Sequence, residues 1–182
     1  MNILKAPSWT AASLLTVVSL YACSPRAVQP QPSGALCRTE AHFSRRGGAA
    51  PALINALDQA HSSIHVAIYS ITNRSIVDAL VAAKRRGVDV AVKTDKTENE
   101  QKNQAAVIAQ LQAASVPVEV SALPRLLHHK FAVIDSRYVV TGSFNWTQSA
   151  ETRNRENLVI LDCPELAQAY NAEWDSIQPD KP

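Results

Sequence analysis

The apolar positions of this chain change period several times along its length. Leu53, Ile54, Leu57 and Ala60 show the three-to-four spacing of a helix with one buried stripe. Pro51 suits the first turn of that helix, where its missing N–H leaves no bond unmade. Residues 64–69, Ile-His-Val-Ala-Ile-Tyr, form instead a short apolar run of strand length. Helical spacing returns at Ile76, Val77, Leu80 and Val81, with Asn73 or Ser75 to cap that helix and Gly87 to stop it. Residues 38–43 read as a first strand and 88–92 as a third, while the polar stretch 94–102 reads as loop. Beyond it the pattern predicts a helix over 105–114 and an extended segment over 116–120. Strands follow over 127–134 and 138–141, joined at Ser136-Arg137, then a last strand over 158–161 and a closing helix over 164–177. Strands alternating with helices predict an α/β fold: a mixed β-sheet flanked by helices on both faces, in one domain.

Composition narrows the class. Hydrophobic residues make up 46% and charged ones 19%, which excludes a disordered chain. The net charge is +2, so any attraction for a polyanion must come from local clusters such as Lys84-Arg85-Arg86. That cluster also suits a helix C-terminus, where cations meet the negative end of the dipole.

The first 22 residues look like an export signal. Lys5 precedes a run from Ala11 to Ala22 that is far shorter than the ~20 apolar residues of a membrane span. Leu20-Tyr21-Ala22-Cys23 resembles a bacterial lipobox, with Cys23 as the lipidated residue; plain cleavage after Ala22 is the alternative. Residues 23–36, rich in Pro, Ser and Gln, read as a tether, and 37–182 as the folded domain. The expected location is therefore the periplasm, or the membrane of a bacterium through an N-terminal lipid anchor. In that oxidising setting Cys37 and Cys163 can form one disulfide, or remain two thiols. No Cys–His grouping at metal-ligand spacing occurs, and neither a metal nor a cofactor is expected.

The chemistry concentrates late in the chain. His128 and Lys130 are followed by Asp135, then by Gly142-Ser143-Phe144-Asn145 and Glu156. Alternation on a strand puts His128 and Lys130 on one face and His129 on the other. An imidazole that can attack phosphorus then lies beside an ammonium that can hold a phosphate oxygen. Ser143 and Asn145, also two apart, can add polar donors, and Gly142 permits close approach.

This H-x-K-x4-D-x6-G-S-x-N pattern resembles the signature of the phospholipase D superfamily. Residues 68–73, 79–90, 141–147 and 150–157 are further similar to the small bacterial Nuc-type endonucleases, a likeness covering about 44–174. The resemblance implies that His128 forms a phosphohistidine and that Lys130 and Asn145, supported by Ser143, bind the phosphate. It implies that Glu156 hydrogen-bonds the histidine, and that Asp135 organises the site without touching phosphorus. Such chemistry uses two histidines, one attacking and one protonating the leaving oxygen. A single motif therefore predicts a homodimer with the site at its interface.

The expected function is a metal-independent phosphodiesterase: an endonuclease of low specificity that cleaves DNA, and RNA as a further substrate. The alternatives are a phospholipase D-type lipid hydrolase and a non-catalytic nucleic-acid-binding envelope module. Tyr69 and Trp146 can stack on bases or pack in the core, and Arg153 and Arg155 can steer a polyanion.

Overall fold

A computed structural model describes residues 36–45, 48–121 and 126–178. The segment 1–22 expected as an export signal, Cys23 as the expected lipidation site, and residues 24–35 of the expected tether lie outside the described residues.

Seven strands form one mixed sheet in the order β1-β7-β6-β5-β2-β3-β4. They are β1 (Arg38–Phe43), β2 (Ser63–Ile68), β3 (Asp89–Thr94), β4 (Val118–Val120), β5 (Lys130–Ile134), β6 (Tyr138–Gly142) and β7 (Asn157–Asp162). β2, β3 and β4 run parallel, linked through helices; β2 meets β5 antiparallel, and β5, β6, β7 and β1 continue antiparallel.

Alternation along the central strands builds two apolar layers. Ile64, Val66 and Ile68 of β2 and Ala132 and Ile134 of β5 face the larger core. There they meet α1 (Ala49–Asp58), α2 (Arg74–Arg85) and α4 (Lys102–Ala113), through Leu53, Leu57, Leu80 and Leu111. Ala67, Phe131 and Val133 face the other way, onto α6 (Pro164–Ser176). The sheet is thus covered on both faces, three helices against one. Buried Lys93 anchors the end of α6: its ammonium donates to the carbonyls of Trp174 (3.1 Å) and Ile177 (2.9 Å) and lies over the Trp174 ring.

Asn73 caps α2 by accepting from Ser75 N (3.1 Å), and Gly87, at φ 93°, lets the chain leave it. Arg86 donates to Leu57 O (2.9 Å), so part of the basic cluster serves to join α2 to α1. Three expectations need correction. The polar stretch 94–102 is not all loop: α3 (Lys96–Asn99) forms because Asp95 accepts from Thr97 N and Glu98 N. β5 starts at Lys130, since Leu127 N is held by the Asp95 side chain and not by a strand neighbour. The β5–β6 turn is built on Asp135 and Ser136, both at positive φ (54° and 51°), one position before the expected pair. A further short helix, α5 (Gln148–Thr152), follows β6.

Cys37, just before β1, is joined to Cys163, just after β7, with Cα atoms 4.9 Å apart.

Candidate active site

Strand register sorts the predicted site residues by sheet edge. Ile68 pairs with Thr94 and with Lys130, Phe131 pairs with Thr141, Gly142 with Leu158, and Asn157 with Phe43. One edge of the sheet therefore collects the C-terminal ends of β1, β2, β3 and β6 and the starts of β5 and β7. Crevices beyond the carboxyl ends of parallel strands are where α/β sheets bind ligands.

His128 and Lys130 face the same side, as alternation requires, although His128 precedes the strand. The His128 ring lies 4.8 Å from the Tyr69 ring, and the Lys130 ammonium lies 5.0 Å above that same ring. Lys130 Nζ also donates to His128 O (2.8 Å). His129 points away, with its Nε2 2.9 Å from Glu173 Oε1 on α6 and its ring against the edge of Phe131. The His128 imidazole is exposed and makes no hydrogen bond among the described residues. Partial burial pushes the Lys130 ammonium below the ordinary lysine range; Glu156, then Glu98, draw it part of the way back.

The glycine-serine segment is locked to both neighbours. Gly142 has φ 148°, and a Cβ there would lie 2.3 Å from Asn157 O, so both the backbone angle and the space require glycine. Ser143 N and Phe144 N then donate to Asn157 O (3.1 and 3.2 Å). Trp146 N donates to Ser70 O (3.0 Å), while Trp146 O accepts from Thr72 N and Asn73 N (2.9 Å each). Trp146 itself is 1% exposed, a core residue and not a platform for bases.

Ser143 Oγ donates to Glu156 Oε2 (2.6 Å) and accepts from Asn157 N (3.1 Å). Its one proton is committed to Glu156, so Ser143 acts here as support for that carboxylate. Glu156 Oε1 accepts from Asn154 Nδ2 (2.9 Å). Within one protomer Glu156 thus bonds Ser143 and Asn154, and forms no bond to His128 of the same copy among the described residues. The reason is topological: Glu156 leads into β7, two strands from β5. Asn145 Oδ1 is buried without a hydrogen-bond partner among the described residues, a costly arrangement for a polar group.

Asp135 lies at the opposite edge. β5 is five residues long, so its two ends are about 15 Å apart at the usual strand rise. The Asp135 carboxylate accepts from His61 N, Ser62 N (2.7 Å), Ser62 Oγ (2.9 Å) and Ser63 N (3.0 Å). Burial raises its pKa, and these bonds together outweigh that and hold it below the ordinary carboxylate range. Asp135 clamps the loop entering β2, at the far end of β5 from His128 and Lys130.

Several residues at the functional edge lie outside the H-x-K motif. Tyr69 follows β2 and packs against both His128 and Lys130. Burial first, and the nearby Glu98 carboxylate second, hold its phenol above the ordinary pKa. Fully buried Asp95 caps α3 with Oδ1 and accepts from Leu127 N with Oδ2 (3.0 Å), fixing the residue before His128. Buried Gln104 donates to Tyr69 O (3.3 Å), Thr94 Oγ1 (3.0 Å) and Asn99 Oδ1 (3.1 Å), and accepts from Ile71 N (2.8 Å). One signal was readable: Asp95 and Glu98 have the spacing of a capping box.

This fold and edge geometry define a phospholipase D-like domain. Residues 53–178 match the family described as cardiolipin synthase, PLD-like domain, and the chain belongs to the phospholipase D superfamily. Within it the chain is of Nuc type. The crystal structure of Nuc, a phospholipase D family member from Salmonella typhimurium, superimposes with a TM-score of 0.76 at 34% identity, covering 78% of this chain and 94% of that one. The chain is also 35% identical over 132 residues to a phospholipase D of Rickettsia conorii, covering 72% of this chain and 65% of that protein. Against a mitochondrial cardiolipin hydrolase of Xenopus tropicalis it is 33% identical over 142 residues, covering 78% of this chain and 63% of that one. The chain thus spans just under two thirds of the length of these two relatives.

Proposed function

We propose that this protein hydrolyses phosphodiesters through a phosphohistidine on His128, acts as a homodimer, and takes nucleic acid as its substrate. The observation that carries the reading is the shared face of His128 and Lys130 against Tyr69, beside the Gly142–Asn145 segment. The imidazole attacks phosphorus while Lys130 and the Asn145 amide neutralise its oxygens. The P–O bond to the leaving alkoxide breaks, and that oxygen takes a proton from His128 of a second protomer. The same second histidine then accepts a proton from water, which attacks the phosphohistidine and frees His128. One histidine per protomer makes the pairing of two copies part of the mechanism. Lys130 and the amide donors do the work of charge neutralisation, so the proposed reaction runs without a metal.

The Nuc likeness over nearly the whole domain supports nucleic acid as substrate. A second reading, lipid hydrolysis, draws on the relatives named phospholipase D and cardiolipin hydrolase. The joined Cys37–Cys163 pair supports export to an oxidising compartment, where disulfides persist. The test incubates the protein with supercoiled plasmid, single-stranded DNA, RNA, and phosphatidylcholine or cardiolipin vesicles, in excess chelator, beside His128→Ala. Nucleic-acid cleavage that survives chelation and disappears in the variant is expected. Lipid turnover with intact plasmid would replace this reading with the second one. Nucleic-acid binding without turnover, unchanged in the variant, would leave a binding module.

A further inference from the structure

The functional edge of the sheet extends past the phosphate pocket to a second constellation. Three strands along from β5, β1 ends in Phe43, which is 61% exposed. The chain then turns through Ser44 and Arg45. Arg45 has φ 65°, a left-handed conformation that residues other than glycine rarely adopt. Hydrogen bonds hold it there: Arg45 N donates to Glu151 O (2.9 Å) and Ser44 N to Glu156 O (3.1 Å). Ser44 Oγ donates to Asn154 O (2.8 Å) and accepts from Glu156 N (2.8 Å). The turn is thereby fixed to the segment that carries Arg155 and Glu156. Strained backbone held in place by its surroundings concentrates at ligand sites.

Phe43, Ser44, Arg45, Arg155, Glu156 and Asn157 line a cavity of about 590 Å³. Neither guanidinium makes a hydrogen bond or ion pair among the described residues. Glu156 is the shared wall, since its other side accepts from Ser143 of the phosphate pocket. An exposed aromatic ring beside two uncommitted guanidiniums offers what a single strand presents, a base face and phosphate oxygens.

We propose that Phe43, Arg45 and Arg155 form a flanking subsite for single-stranded nucleic acid, in which Phe43 stacks on a base and the two arginines hold backbone phosphates. The proposal rests on the nucleic-acid reading and narrows it. Three inter-strand steps of ~4.8 Å separate β1 from β5, about 14 Å, beyond the span of one phosphodiester. A polymer engages both places at once; a small diester engages only the pocket. In a duplex the base faces are stacked on one another, so Phe43 favours single strands.

The test compares the full-length protein with Phe43→Ala and with Arg45→Ala/Arg155→Ala on two substrates. One is a long single-stranded oligonucleotide, the other bis(p-nitrophenyl) phosphate. Oligonucleotide kcat/KM is expected to fall about tenfold in each variant, the scale of one lost stacking or charged contact. Hydrolysis of the small diester is expected to stay at the wild-type value. The double variant should also flatten the log–log salt dependence of oligonucleotide binding by about 1–2, at roughly 0.7 per phosphate contact. Phe43→Ala should leave that slope intact. Unchanged oligonucleotide cleavage, or equal losses on both substrates, would overturn the subsite alone. Dissociation of a dimer by Phe43→Ala, read by light scattering, would assign the patch to contact between copies and also overturn it. A wild-type protein that cleaves the small diester but no oligonucleotide would overturn the nucleic-acid reading itself, and the subsite with it.

Discussion

The two ends of β5 are built to opposite specifications. At the Lys130 end, the His128 imidazole is exposed and Asn145 Oδ1 buried, neither with a hydrogen bond among the described residues, and burial lowers the lysine pKa. At the Asp135 end, a carboxylate of the same motif takes bonds from His61, Ser62 and Ser63, and the Cys37–Cys163 disulfide closes the neighbouring strands. Polar groups left without partners cost stability, and those fully partnered contribute to it. One end therefore holds its groups in reserve for a ligand, and the other spends them on the fold. A motif contiguous in sequence serves two purposes because a strand carries its residues apart.

The sharpest way to break this contrast is to exchange the phenotypes of the two ends. His128→Ala should cost at least about 10⁴-fold in kcat, as loss of a nucleophile does, with stability within about 0.5 kcal/mol of wild type. A melting temperature that dropped with activity would place His128 among the structural residues. Asp135→Ala should do the reverse, lowering stability by about 2–4 kcal/mol in denaturant titration while kcat below the transition holds. The lowered Asp135 pKa carries the same sign. Its stabilisation is complete above the ordinary value of 3.8 and is lost as pH falls through the folded-state value. Cys163→Ser removes a link across 126 residues of chain and should cost about 2–4 kcal/mol, again with activity retained when folded.

Smaller effects sharpen the picture at the Lys130 end. The ammonium must be protonated to hold phosphate, so kcat/KM should fail on the alkaline side below the ordinary lysine value of 10.5. Bound phosphate restores the proton, so the same limb in kcat should lie at higher pH. Coincident limbs would show that Lys130 does not meet the substrate. Tyr69→Phe keeps the ring against His128 and Lys130 and removes the hydroxyl near the Glu98 carboxylate. The expected loss is less than about tenfold in kcat, one hydrogen bond being worth about 1 kcal/mol, with a displaced alkaline limb. Tyr69→Ala should cost more, since both site residues then lose the surface they lean on.

Much of this was legible in the chain. Apolar periodicity placed the strands 64–69 and 88–92 and the helices around them, because burial on a pleat or a helical face dictates spacing. It failed where one side chain overrode local pattern. Asp95 turned a polar stretch into α3 and held residues before Lys130 out of β5, and its effect depends on Leu127, 32 residues away. Strand order also sets β6 between Glu156 and His128 of the same copy, which no local spacing shows.

By itself the sequence determined the alternation of elements and the shared face of His128 and Lys130, both consequences of local geometry. Which edge those residues occupy was decided by tertiary structure alone. Pairing of β2 with β5 brought Tyr69 to His128, and pairing of β1 with β7 brought Phe43 and Arg45 to Glu156. Strand order and register are chosen by matching apolar faces between segments far apart in the chain, and no local spacing encodes that choice.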